Sequence, residues 1–328
     1  MKPRTLDLFC GGGGSSWGAQ NAGAEIVCAV DAWPVAVETY RANFPGARVI
    51  NATLDEDSCP SVLGDIGSID LILASPECTS HTCARGNRPR DEGSRKTAHY
   101  VLNFARKLNP RWIVIENVVQ MRNWHGYIPL IEKLRLLGYN ISAQVLDAVD
   151  FGVPQTRRRL FILCDRNAEP MSVVPSSGRR PRPRAAADVV QVDGLWESRP
   201  LYSDRRAPDT LARAERAIDK LGMGKPFLIV YYGSDGSGGW QPLDRPLRTI
   251  TTHDRFGLVT WQDRTPMLRM LQVPELMRAM GFDENYILPH GSRCDQVKIL
   301  GNGVCPPVME AVVTSLAPQP ESLPVAAQ

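Results

Sequence analysis

The chain predicts an α/β fold, a parallel sheet with helices on both faces, and three observations lead there. Strand-like and helix-like segments alternate over the first 165 residues. The first strand runs directly into four glycines, Gly11–Gly14, at the place where such a sheet turns to meet a ligand. Two later runs, DLILA (70–74) and WIVIENV (112–118), have the short apolar character of buried strands.

Taken in order, Thr5–Phe9 reads as a strand, about Ser15–Asn21 as a helix and Glu25–Val30 as a strand ending at Asp31. Val35–Asn43 is helical, Arg48–Asn51 and Asp70–Ala74 are strands, and Lys96–Leu108 is a helix. Trp112–Glu116 is a buried strand, and Ile128–Leu137 is a helix stopped by Gly138. Strands Asn140–Leu146 and Leu160–Cys164 complete this region. Between about 165 and 241 the character changes, and PSSGRRPRPR (175–184) has no readable period. Beyond it a helix is expected at about Thr210–Leu221 and a strand at Phe227–Tyr232, followed by the loop GSDGSGG. Met267–Met270 and Pro274–Met280 read as helices, and Gly303–Leu316 as a closing helix with Pro306 and Pro307 in its first turn. The tail APQPESLPVAAQ reads as disordered.

Composition narrows the class without naming a partner. Hydrophobic residues are 43% and charged residues 22%, ordinary values for a globular protein. A formal net charge of +3 is too small to argue for a polyanion, so local clusters of arginine must carry any such binding. No apolar run nears the roughly 18–20 residues of a membrane span, and no signal-peptide pattern opens the chain. The eight cysteines form no CxxC pair and no His/Cys cluster, so no metal site is expected. They read as reduced thiols of an intracellular protein, mostly small core residues.

Four segments carry chemistry. In LDLFCGGGGSSWG the glycines let the backbone approach a ligand, and Asp31 at the end of the next strand can accept hydrogen bonds from ribose hydroxyls. This suits an adenosine-containing cofactor. A nicotinamide dinucleotide would want a glycine where Ser16 stands, and a P-loop is excluded because no GK[ST] follows. A purely structural glycine turn is the bland alternative. Cys78, in SPECTSHTCARGNRPRDEGSRK (75–96), follows the fourth strand at its carboxyl edge among Pro76, Glu77, Thr79, Ser80 and His81. Positive charge from Arg85, Arg88, Arg90, Arg95 and Lys96 would favour its thiolate, and Gly86 and Gly93 would let this loop move. A solvated basic surface is the competing reading of the same loop. Glu116 ends a buried strand, where an unpartnered carboxylate is costly, so it reads as a site residue. In DFGVPQTRRRLFIL (150–163), Arg157 and Arg159 share one side if the segment is extended; the alternative is a surface salt-bridge cluster.

In this order the segments resemble the cytosine-C5 DNA methyltransferase family, over nearly the whole chain except 165–244 and the tail. DLFCGGGG is similar to the first cofactor motif, SPECT to the Pro-Cys nucleophile motif, ENV to the same three letters, and QTRRR to Gln-x-Arg-x-Arg. RPLRTIT (245–251) and GNGVCPPV (301–308) match the two C-terminal motifs. The resemblance implies a Rossmann-like S-adenosylmethionine-dependent methyltransferase sheet with a smaller DNA-recognition domain. It implies that Phe9, Gly11, Gly13, Asp31, Pro76, Asn302 and Val304 hold S-adenosylmethionine, which leaves as S-adenosylhomocysteine. It further implies that Cys78 attacks C6 of a flipped-out cytosine, that Glu116 grips the base edge, and that Arg159 with Arg157 lines the catalytic pocket.

The chain departs from the family pattern at two places. Glu77 precedes Cys78, and Thr79 follows it, where the family has proline and glutamine; a charged Glu77 would oppose the thiolate, so it is expected to point away or pair with an arginine. Asn51-Ala52-Thr53 offers no carboxylate where the third cofactor motif has an aspartate. Target recognition is expected from 165–244, with Arg179, Arg180, Arg182 and Arg184 as DNA contacts or, equally, a disordered basic segment. The expected organisation is 1–165 plus 303–318 as the catalytic domain, 166–302 as the small domain and 319–328 as tail. Double-stranded DNA is the expected partner, with a cognate restriction endonuclease, a monomeric state, a cytoplasmic location and no membrane. A tRNA cytosine methyltransferase, a catalytically silent DNA-binding homologue and a NAD-dependent oxidoreductase are the competing readings.

Overall fold

The computed structural model describes residues 2–76, 92–175, 184–232 and 238–317, the side chains of 92–96 excepted. The basic loop with Cys78, most of the arginine-rich segment, most of GSDGSGG and the tail therefore lie outside the described residues. The chain divides into two compact units. One holds the described residues up to Leu146, those from Arg158 to 175 and those from Cys305 to 317; the other holds Asp147–Arg157 and those from 184 to Val304.

The first unit is built on β1 (Arg4–Leu8), β2 (Glu25–Asp31), β3 (Arg48–Asn51), β4 (Leu71–Ala74), β5 (Trp112–Asn117), β6 (Asn140–Asp147) and β7 (Arg158–Asp165). They form one seven-stranded sheet in the order β3-β2-β1-β4-β5-β7-β6. The pairs β1–β2, β1–β4, β2–β3 and β4–β5 are parallel, which matches the expected α/β class. β7 departs from the all-parallel expectation: it pairs antiparallel with β5, Glu116 opposite Phe161 and Asn117 opposite Leu160. Ten residues separate β6 from β7 and carry only a single short 3-10 turn. That is too little chain for a crossover helix, so β7 returns in the opposite sense.

Alternation along the strands sorts the two faces. Leu6 and Leu8, Cys28 and Val30, Ile72 and Ala74, Ile113 and Ile115, and Leu160, Ile162 and Cys164 form one core with Val101, Leu102 and Ala105 of α3 (Glu92–Leu108) and Leu130 and Leu134 of α4 (Tyr127–Leu136). Each fully buried leucine or isoleucine stabilises this layer by roughly 1.5–3 kcal/mol. α3 begins at Glu92, four residues before the expected start at Lys96, so Arg95 lies on its first turn and not in the preceding loop.

On the other face β1 presents Thr5 and Asp7, both fully buried, toward α1 (Gly14–Asn21) and α2 (Pro34–Asn43). Ser16 Oγ donates to Asp7 Oδ2 at 2.7 Å and meets the Tyr40 hydroxyl at 2.5 Å, so β1, α1 and α2 are tied through one serine. Asp7 Oδ1 is buried without a hydrogen-bond partner. Burial pushes the Asp7 carboxyl up to about 7, against the lowering effect of Ser16 and with a further rise from Asp31. The closing helix, α8 (Pro306–Leu316), packs directly on α1. A Cβ on Gly18 would fall on the Pro306 carbonyl oxygen and 2.9 Å from the Glu310 nitrogen, so glycine permits that contact.

The second unit carries α5 (Pro208–Leu221) against a five-stranded sheet. Its strands are β8 (Arg199–Pro200), β9 (Phe227–Val230), β10 (Trp240–Pro242), β11 (Phe256–Gln262) and β12 (Thr265–Met270), in the order β10-β9-β11-β12-β8. Met267–Met270, expected as helix, belongs to β12 and pairs with β11, Met267 opposite Thr260 and Met270 opposite Gly257. Four residues are too few to define a helical period, and Asp263 at φ 52° supplies the left-handed turn of a hairpin. α6 (Val273–Met280) is as expected, whereas α7 (Arg293–Asn302) is an additional helix. It is started by a reciprocal cap between Ser292 and Asp295. Arg293–Leu316 has the length and apolarity of a membrane span, but 67% of its apolar window is buried. The helix breaks between Asn302 and Pro306.

Two outcomes test this packing. Gly18→Ala would gain about 1 kcal/mol of helix propensity. Backbone atoms of α8 cannot yield to the new methyl, so the net effect in chemical denaturation is a destabilisation of about 1–3 kcal/mol. For Asp7 the folded carboxyl titrates at about 7 and the unfolded one near the ordinary aspartate value of 3.8. Native stability from this group is therefore complete below about pH 4 and is lost as pH rises to 7, a span on the order of 4 kcal/mol. Asp7→Asn should gain on wild type by about that amount between pH 4 and 7 and stay level above; parallel pH profiles would contradict the account.

Candidate active site

The turn after β1 is shaped by backbone more than by side chains. Phe9, Gly11 and Gly13 all have positive φ, 58°, 52° and 91°, which is unusual for phenylalanine. Cys10 N–H donates to the Val30 carbonyl at 3.1 Å and Gly13 N–H to the Cys10 carbonyl at 2.9 Å. A Cβ on Gly13 would lie 2.5 Å from Phe44 and 3.0 Å from Tyr40, whereas one on Gly11 would enter open space. Gly13 is thus a packing glycine, and Gly11 faces an unfilled approach to the turn. α1 begins at Gly14 without a side-chain cap.

Asp31 sits beside this turn at the end of β2. Its Oδ2 accepts from Gly11 N–H and its Oδ1 from Trp33 N–H, both at 2.8 Å, which fixes the carboxylate plane. Asn51, which has no carboxylate to offer, donates Nδ2 to the Asp31 carbonyl at 3.0 Å. The sequence marked Asn51 only as a missing carboxylate; in the structure it is a positioning neighbour of Asp31. A glycine with an open approach, a fixed carboxylate that can still accept from hydroxyls, and an uncapped helix start suit the ribose and polar groups of an adenosine-type cofactor.

The same carboxyl edge continues through β4 and β5. Ser75 N–H donates to the Leu8 carbonyl, and its hydroxyl lies 3.3 Å from that of Ser15 in α1. Pro76 is buried, and its carbonyl accepts from Asn117 Nδ2 at 3.1 Å. Asn117 Oδ1 in turn accepts from Val118 N–H. Asn117 therefore fixes the chain at the end of β4, two residues before Cys78, and the ENV tripeptide was its only signal in the sequence. Glu116 is 6% exposed and Arg159 Nε lies 3.2 Å from its Oε1. The reversed β7 explains the meeting. Glu116 stands opposite Phe161, so Arg159, two residues earlier, is its diagonal neighbour on the same face.

In the second unit, Arg157 is 2% exposed and directs its guanidinium onto the carbonyls of Ile250, Gly301 and Gly303. Asn302 is the exposed last residue of α7, and Val304 is buried. Of the described thiols, Cys10, Cys28, Cys164 and Cys305 are buried as expected, with burial pushing Cys28 up to about 11. Cys59 is part-exposed and Cys294 exposed, so these two are not core residues. Cys78, Glu77, Arg85, Arg88, Arg90, Arg179, Arg180 and Arg182 lie outside the described residues.

Comparison with known proteins identifies the family. The profile of the family described as C-5 cytosine-specific DNA methylase matches residues 3–317. The type II methyltransferase M.HgiDI of Herpetosiphon aurantiacus is 32% identical over 257 residues, covering 75% of this chain and 80% of that protein. M.XorII of Xanthomonas oryzae is 29% identical over 225 residues, covering 64% of this chain but only 53% of the relative, so the match spans about half of that protein. For M.HindV of Haemophilus influenzae the corresponding share is 58%. Among solved structures, DNMT2 of Spodoptera frugiperda superposes with a TM-score of 0.70 at 20% identity, over 96% of this chain and 99% of that one, and shares the fold. With the family profile spanning nearly every residue, the chain belongs to the C-5 cytosine-specific DNA methylases.

Proposed function

We propose that the protein transfers a methyl group from S-adenosylmethionine to C5 of a cytosine in a specific sequence of double-stranded DNA. The observation that carries this reading is the buried Glu116–Arg159 pair, on the same sheet edge as the glycine turn and next to Asn117, which holds the chain that leads to Cys78. S-adenosylmethionine, when bound by Phe9, Gly11, Gly13, Asp31 and Pro76 with Asn302 and Val304, supplies an electrophilic methyl group.

The chain's residues do the rest. C6 of cytosine is shielded within the base stack, so the base must leave the duplex. The Cys78 thiolate adds to C6, and the electron pair of the C5–C6 double bond makes C5 nucleophilic. Glu116 hydrogen-bonds the N3/N4 edge and, when protonated, stabilises the charge developing on N3. Arg159 orients Glu116 and lines the base pocket. Once C5 carries the methyl group, loss of its proton to a base restores the double bond and expels the Cys78 thiolate.

Target recognition belongs to 166–302 and catalysis to 1–165 with 303–318. Arg85, Arg88 and Arg90, near Cys78 in the sequence, and Arg179, Arg180 and Arg182 in the recognition segment would contact the DNA. The relatives named as type II methyltransferases support a place in a restriction-modification system, with a cognate endonuclease acting on the same sequence. The protein would act as a monomer in the cytoplasm.

A duplex carrying 5-fluorocytosine at the target position tests the chemistry, because fluorine cannot leave as the C5 proton does. Denaturing electrophoresis and intact-mass analysis should show wild type bound covalently to one DNA strand and Cys78→Ala unbound, although still able to bind S-adenosylhomocysteine. Adduct formation by Cys78→Ala, or none by wild type on a duplex it methylates when unmodified, would overturn the assignment.

A further inference from the structure

Gln155 and Arg157 are buried, and the chemistry above uses neither. Pro154–Thr156 runs beside Leu247: Leu247 N–H donates to the Pro154 carbonyl at 2.9 Å and Thr156 N–H to the Leu247 carbonyl at 2.8 Å. Gln155 Oε1 accepts from Ile250 N–H at 2.9 Å while its Nε2 donates to the Ala279 carbonyl, near the end of α6, at 3.1 Å. Arg157 Nη1 donates to the Ile250 carbonyl at 2.9 Å, so Ile250 is held at both its N–H and its C=O. Arg157 Nη2 donates to the Gly301 carbonyl at 2.7 Å and to that of Gly303 at 2.8 Å.

Those last two carbonyls stand on either side of Asn302. Gly301 lies in the final turn of α7, where carbonyls have no partner within the helix and the negative end of the helix dipole favours a cation. A Cβ on Gly301 would collide with the main chain of Thr251, so glycine lets α7 press against the segment that also holds Ile250. A planar fork reaches three oxygens at set spacing, which an ammonium on a flexible stem does not reproduce.

We infer that Arg157 is a positioning residue: it clamps the main chain on both sides of the exposed Asn302 and presents that side chain, and it does not touch the base. The inference rests on the reading above for the cofactor role of Asn302. Arg157→Lys in the full chain tests it by three measurements: amide hydrogen exchange over 299–304, calorimetric binding of S-adenosylhomocysteine, and adduct formation on 5-fluorocytosine DNA at saturating cofactor. Exchange at Gly303 and Val304 should rise, and S-adenosylhomocysteine should bind more weakly, each by roughly tenfold or more. Adduct formation should stay within roughly threefold of wild type. Asn302→Ala, which leaves the clamp intact, should reproduce the weaker binding without the faster exchange. Unchanged exchange and binding in Arg157→Lys with loss of the adduct would overturn the clamp and put Arg157 on the base. Normal binding by Asn302→Ala would overturn the presented side chain. A wild type that binds S-adenosylhomocysteine but never forms the adduct would instead fault the proposed chemistry, and leave the exchange result to judge the clamp.

Discussion

The reversal of β7 is the constraint from which the candidate site follows. In an otherwise parallel sheet, a strand entering at the carboxyl edge of β5 is the arrangement that sets Arg159 diagonal to Glu116. A parallel β7 would start at the opposite edge and carry its arginines away from the glycine turn. The ion pair that results is nearly closed to solvent, with side-chain exposures of 16% and 7%. At that burial, removing one partner leaves a desolvated charge, which costs far more than losing a surface pair.

A second layer of contacts keeps the site groups still. Asp31 is fixed by the Gly11 and Trp33 amides and by Asn51 at its carbonyl, and Pro76 is fixed by Asn117. Beneath the turn, Ser16 joins the buried Asp7 to Tyr40, while Tyr40 and Phe44 fill the space that a side chain on Gly13 would need. These contacts show why the position that departs from a dinucleotide fingerprint holds serine: its hydroxyl is the link between a strand and two helices.

Much of this was legible in the sequence because strand runs, glycines and a carboxylate ending an apolar segment each have direct physical meanings. Glu116 was found because a buried acid demands a partner, and the partner proved to be the residue whose period-2 spacing had been noted. The direction of β7 was not legible, since strand patterns carry no sense of polarity and only the short link from β6 hints at it. Met267–Met270 misled because a four-residue run, three of them apolar around Arg269, fits a hairpin strand as well as a helix. α7 was not read in the sequence: its apolar period over Arg293–Asn302 is weak, and the Ser292–Asp295 cap went unused. The bonds of Arg157 were beyond reach altogether, because their acceptors are main-chain oxygens about 90 to 150 residues away and leave no mark in side-chain type.

The central claim is that Glu116 and Arg159 act on the base as one unit. A double-mutant cycle with Glu116→Gln and Arg159→Met, read as single-turnover methyl transfer to duplex DNA, measures this directly. The account predicts that the double variant is about as slow as the slower single one, a coupling on the order of 1–3 kcal/mol. Rate losses that simply multiply would show two residues working independently and would contradict it.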